Sequence, residues 1–131
     1  MKNYSMSKTG NLFLAIEAAR RWGPESSIGS ADGIVSVAQN PGQIDSRIYR
    51  HVSPWIMMAV RPTMYQPRVG AYTLLFAGLS PDVSLETNGA DVLPFGRLQE
   101  RSTRKDITKA IEEGRATEFW NWCEDLFNKY I

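Results

Sequence analysis

Two apolar runs constrain this chain more than any other feature. One is Trp55, Ile56, Met57, Met58, Ala59 and Val60, and the other is built on Tyr72, Leu74, Leu75, Phe76 and Leu79. Neither alternates with polar residues, so each asks for cover on both faces, as a central strand has. Pro54 and Pro62 bracket the first run, and so short a segment between prolines is brief for a buried helix. Both runs are therefore read as covered strands.

The neighbouring segments complete a sheet. Ile34, Val35 and Val37 have the β-branched chemistry of a strand, and Asn40-Pro41-Gly42 closes it with a turn. Across residues 44–52, Ile48, Arg50 and Val52 alternate against Arg47, Tyr49 and His51, which predicts a strand with two different faces. Residues 61–70, with Pro62 and Pro67, read as a loop. Val83 and Leu85 make a weaker strand that ends at Asn88-Gly89, a favoured hairpin dipeptide. Residues 91–95 are its short partner, with Pro94 marking an edge. Strands joined by short turns pair antiparallel.

Helices take both ends. After a cap at Asn11, Leu12, Ala15, Ile16 and Ala19 recur at helical spacing until Gly23 and Pro24 stop them. This predicts a helix over residues 12–22, preceded by a flexible lead-in over 1–10. Thr103 and Asp106 open a second helix with the stripe Ile107, Ala110 and Ile111, closed by Gly114. Thr117 caps the third, where Phe119, Trp122, Cys123, Leu126, Phe127 and Tyr130 lie on one face. The predicted class is α+β: an antiparallel sheet of about four to six strands with an N-terminal helix and two C-terminal helices packed on it. One domain spans residues 1–131.

Composition narrows the function. The apolar fraction is 43%, the charged fraction 22% and the net charge +1, which suits a globular protein and speaks against a membrane or nucleic-acid binder driven by global charge. The lone Cys123 allows no internal disulfide and fits the reducing cytosol. No apolar run approaches the ~20 residues that span a bilayer. The chain is expected to be cytoplasmic, with no membrane partner.

Chemistry-bearing residues are sparse. His51 is the only histidine and has no metal spacing with Cys123, so no metal and no cofactor are predicted. Cys123 sits inside an apolar stripe, where a thiol acts as a small hydrophobe. Glu112-Glu113 and Glu124-Asp125 are helix neighbours that diverge by about 100°. Asp32, Asp45, Glu86 and Asp91 could meet His51 only through folding. Neither G-x-G-x-x-G nor G-x-x-x-x-G-K occurs, which argues against Rossmann and P-loop chemistry. An enzyme is the less favoured reading.

Residues 47–72 are the most distinctive stretch. Arg47, Arg50, His51, Arg61 and Arg68 are interleaved with Tyr49, Trp55, Tyr65 and Tyr72, with Asp45 as the nearby counter-charge. The loop Met64-Tyr65-Gln66-Pro67 is stiffened by proline and loses little entropy on docking. Arginine and aromatics dominate protein–protein hot spots, so Arg47, Arg50, Trp55, Arg61, Tyr65 and Arg68 form the candidate partner-binding set. In size and element order the chain resembles toxin-immunity and phage counter-defence proteins. That resemblance implies a small non-enzymatic binding module that inhibits by docking on a protein partner. The alternative is a nucleic-acid or nucleotide binder that adds Arg97, Arg101, Arg104, Lys105 and Lys109 to the same segment. A homo-oligomer fits either reading.

Overall fold

Proline placement decides the middle of the structure. Pro54 and Pro67 each stand at the start of an α-helix, where the missing N–H costs nothing and φ is already helical. The computed structural model of the chain describes residues 2–24, 33–100 and 104–131. Its elements are α1 (Lys2–Trp22), β1 (Ala38–Gln39), α2 (Pro54–Val60), α3 (Pro67–Leu79), β2 (Asp91–Leu93), β3 (Arg97–Gln99), α4 (Lys105–Glu112) and α5 (Arg115–Phe127). Short 3-10 turns occupy Arg47–Tyr49, Arg61–Thr63 and Leu85–Thr87. Residues 26–32, with Asp32, and also Arg101 and Thr103, lie outside the described residues.

The antiparallel sheet of four to six strands is corrected to a three-stranded mixed sheet in the order β1-β2-β3. The two apolar runs are α2 and α3. Leucine, methionine and alanine dominate them and are strong helix formers, and the prolines read as strand boundaries are helix starts. The predicted strand over 44–52 is a 3-10 turn, and the Val83–Leu85 strand gives way to another. The strand read over Ile34 to Val37 instead occupies Ala38–Gln39. The helix predicted from residue 12 begins at Lys2, so the stretch read as a lead-in is helical from its second residue. A short strand does begin at Asp91, but its hairpin partner is Arg97–Gln99 and not Val83–Leu85, and the two C-terminal helices are present with Arg104 and Gly114 at their cap positions.

β1 and β2 run parallel, with Ala38 opposite Asp91 and Gln39 opposite Val92. A parallel pair needs a long crossover, and here it carries α2 and α3. β2 and β3 form an antiparallel hairpin. Its turn puts Phe95 and Gly96 at φ 66° and 69°, the left-handed region that glycine tolerates best. A Cβ on Gly96 would also lie 2.9 Å from the Phe76 ring on α3. Gly96→Ala is therefore expected to destabilise by about 1–3 kcal/mol, as a drop in the denaturant midpoint at unchanged slope.

Asn88 is a clamp rather than a hairpin residue. Its Nδ2 donates to the carbonyls of Ala19 and Ile34, both at 3.2 Å, and its Oδ1 accepts from the Ser36 amide at 2.7 Å. The end of α1 is thereby tied to the segment entering β1. A Cβ on Gly23 would stand 2.6 Å from the Ala19 carbonyl oxygen and 3.0 Å from this amide. Glycine is required there by space, not by left-handed backbone.

Glu17, only 1% exposed, locks α1 to α5. It accepts from Arg20 at 2.6 and 3.0 Å, from Arg21 at 2.8 Å and from the Thr117 hydroxyl at 3.0 Å. Arg21 continues to the Asn121 amide oxygen at 2.7 Å and lies over the Trp120 ring at 5.1 Å. Trp22 meets Trp120 edge to face at 5.2 Å. Thr117 thus serves this network, and the cap position of α5 belongs to Gly114, left-handed at φ 81°. The stripe predicted for α5 is rotated: Ala116 is buried, while Trp122, Phe127 and Tyr130 are 55%, 65% and 88% exposed. Among the described residues the buried apolar set is small, namely Ala18, Ala19, Ala90, Val92, Ile107 and Ala116. Among them, too, no helix is long and apolar enough to cross a membrane.

Candidate functional site

Folding brings half of the predicted partner-binding set together. Arg47, Arg50 and Arg61 line one shallow depression with Asp45, Tyr49 and Met57. Arg61 Nε donates to Asp45 Oδ2 at 2.9 Å. Arg50 Nε donates to His51 Nε2 at 3.0 Å. Trp55, Tyr65 and Arg68 do not line that depression. Trp55 projects from the first turn of α2, 77% exposed. Tyr65 packs edge to face on Phe95 at 5.3 Å, and Arg68 is exposed on the first turn of α3. The second basic cluster is drawn onto its own helix: Arg104 pairs with Asp106, and Lys109 with Glu113 at 3.6 Å.

The other candidates do not assemble. His51 is exposed. Asp45, the carboxylate nearest it in sequence, is held by Arg61. Cys123 is half-buried. Among the described residues, no three metal-ligating side chains gather. Asp91, half-buried, lines a cleft of about 470 Å³ with Leu12, Ile16, Arg20 and Ile111, and burial raises its carboxyl above the usual range. Glu100 and Glu112 line the same cleft.

A pair that sequence reasoning passed over lies at the start of α1. Tyr4 and Lys8 are four residues apart, so one helical turn stacks them on the same face. The Lys8 ammonium stands over the Tyr4 ring, 5.6 Å from its centroid. Tyr4 is half-exposed. Two neighbouring hydroxyls are turned to the helix itself: Ser7 donates to the Tyr4 carbonyl at 2.8 Å and Thr9 to the Ser5 carbonyl at 3.1 Å. The Tyr-x-x-x-Lys spacing has meaning only on a helix, whereas the sequence alone predicts a flexible lead-in over residues 1–10. A phenol with an ammonium beside it can give or take a proton at a substrate oxygen.

No protein-family model matches the chain, and no solved structure matches it. It is 46% identical over 133 residues to a short-chain dehydrogenase/reductase of Pestalotiopsis fici, a match that covers 100% of this chain and 38% of that protein. A short-chain dehydrogenase/reductase of Neocamarosporium betae is 37% identical over 135 residues, covering 100% of the chain and 37% of that protein. Another, from Phomopsis amygdali, is 38% identical over 138 residues, covering 98% and 39%. The chain thus spans about two fifths of the length of the curated relatives it matches. These likenesses overturn the reading as a non-enzymatic inhibitor of the immunity-protein or phage counter-defence kind: what the chain is similar to is a set of enzymes.

Proposed function

We propose that this chain carries the proton-transfer centre of a dehydrogenase/reductase, built from Tyr4 with Lys8 at its side. The observation that carries the reading is the Lys8 ammonium held over the Tyr4 ring, in a chain 46% identical to a dehydrogenase/reductase. When a carbonyl is reduced to an alcohol, hydride reaches the carbon and a proton must reach the oxygen. The Tyr4 phenol donates that proton, and in the oxidative direction it accepts it. The charge left on the phenol oxygen is offset by the ammonium one turn along the helix. The single Cys123 thiol supports a reducing compartment, the cytosol.

Hydride chemistry belongs to a dinucleotide cofactor, and the residues here do not fit one. A pyrophosphate is cradled by a glycine-rich turn between a strand and a helix. The chain has no G-x-G-x-x-G. Among the described residues, α2 follows Ser53, α3 follows Gln66 and α4 follows Arg104, and none opens from such a turn.

The reading is tested in a chimera in which this chain replaces the 133 residues it matches in the Pestalotiopsis fici relative. Carbonyl reduction is expected, and Lys8→Ala is expected to lower kcat by about 10- to 100-fold. Lys8→Arg restores the charge and should recover most of it. A Lys8→Ala chimera as fast as its parent would remove Lys8 from the centre.

A further inference from the structure

We infer that the cleft between α1, the β2–β3 hairpin and α4 is a binding site for a small organic cation, an ammonium group carried on an apolar body. The site stands apart from the proton-transfer centre proposed above and does not depend on it. Leu12, Ile16 and Arg20 line the cleft, beyond Tyr4 on the same helix by about 12 to 24 Å along its axis.

Two apolar stripes prepare the cover for such a body. Leu12, Ile16 and Ala19 recur along one face of α1, and Ile107 and Ile111 along one face of α4. In an ordinary core, stripes of this kind close on one another. Ile107 is buried, but Ile111 one turn on is only half-buried, as are Leu12 and Ile16. These three face the same opening of about 470 Å³. That volume is typical of small-molecule sites, whose walls are mainly apolar with a few placed polar groups. An apolar occupant completes the cover that the side chains do not give one another.

Charge sets the sign of the occupant. Asp91, at the start of β2, lines the cleft half-buried. Burial raises its carboxyl, and no cation among the described residues offsets that. A desolvated carboxylate without a counter-ion is costly, and a cation from outside removes the cost. Arg20 does not serve, because its guanidinium donates to Glu17 at 2.6 and 3.0 Å. Glu100 and Glu112 add two more negative groups to the lining. These acids do not converge on a metal ion, since among the described residues no three ligating side chains gather. They are spread around an apolar floor, which suits an ammonium with hydrocarbon behind it. A concave opening of this volume takes a small molecule rather than the flatter face of a second protein.

The test is calorimetric titration of the full chain with n-hexylammonium, with 1-hexanol and hexanoate as its neutral and anionic counterparts of the same length. Hexylammonium is expected to bind one to one with a Kd of about 0.1–1 mM, as a ligand of so few atoms allows. 1-Hexanol, which lacks the charge-assisted bond, should bind at least about tenfold more weakly, and hexanoate more weakly still. Asp91→Asn keeps the shape of the side chain and should bring hexylammonium down to the level of 1-hexanol. Ile111→Lys, on a different element, carries a tethered ammonium into the cleft and should abolish binding of added hexylammonium. Hexylammonium that binds no tighter than 1-hexanol, that binds the parent and both variants alike, or that does not bind the parent at all overturns the inference.

Discussion

Tyr4→Phe is expected to lower kcat of the chimera by about 10³-fold while leaving its unfolding midpoint unchanged, since a positioned acid or base contributes about 10²- to 10⁴-fold. The substitution removes one oxygen. Phenylalanine keeps the ring, its place on α1 and the ring face on which the Lys8 ammonium sits, so helix and packing are preserved. What is lost is the atom that carries the proton. The substrate oxygen must then take its proton from water. A loss confined to kcat, with KM little changed, is the expected signature of a group that acts in the transition state. The double substitution Tyr4→Phe/Lys8→Ala should be no slower than Tyr4→Phe alone, because the ammonium acts through the phenol. Near-parental turnover in Tyr4→Phe would end the proposed role.

The part of the fold legible in the sequence is the part that helix punctuation specifies. Gly23-Pro24 ends α1 and Gly114 separates α4 from α5, because breakers act locally and need no tertiary context. The apolar runs were misread for the opposite reason. Continuous apolarity says that a segment wants cover but not at which period its side chains point, so α2 and α3 passed for strands. The same ambiguity concealed the exposure of Leu74, Leu75 and Leu79: wanting cover is written in sequence, having it is not.

The candidate site was hidden by one boundary. Tyr4 and Lys8 are unrelated residues in a flexible lead-in and a stacked pair on a helix that starts at Lys2. Polar spacing over residues 2–9 suggested the former, and the first turns of a helix exposed to solvent need no apolar stripe. The absence of a glycine fingerprint does not argue against dehydrogenase/reductase chemistry, as the likeness to such enzymes shows. The absence is a property of these 131 residues, which span about two fifths of the length of the curated relatives they match.

Glu17→Gln is the substitution expected to cost the most stability. The carboxylate is only 1% exposed and holds Arg20, Arg21 and Thr117 at once, joining α1 to α5. Hydrogen bonding from the Arg20 guanidinium, with further bonds from Arg21 and Thr117, outweighs burial and holds its carboxyl down at about 2, against 4.5 ordinarily. A depression of that size corresponds to at most about 3 kcal/mol, less in practice because Arg20 is open to solvent. The sign follows from which state binds the proton more tightly. The unfolded chain protonates Glu17 near its ordinary value, the folded chain only far lower. The stabilisation is therefore complete above pH 4.5 and is lost as the pH falls from there through about 2. Glutamine keeps the shape and some hydrogen bonds but removes the charge that Arg20 and Arg21 share, although Arg21 keeps its pair with Glu124 at 3.6 Å. Urea unfolding should place Glu17→Gln below the parent by about 2–3 kcal/mol at neutral pH, and the gap should close on acidification as the parent loses its own carboxylate. A gap that stayed constant across that range would mean that Glu17 supports the α1–α5 contact by shape alone.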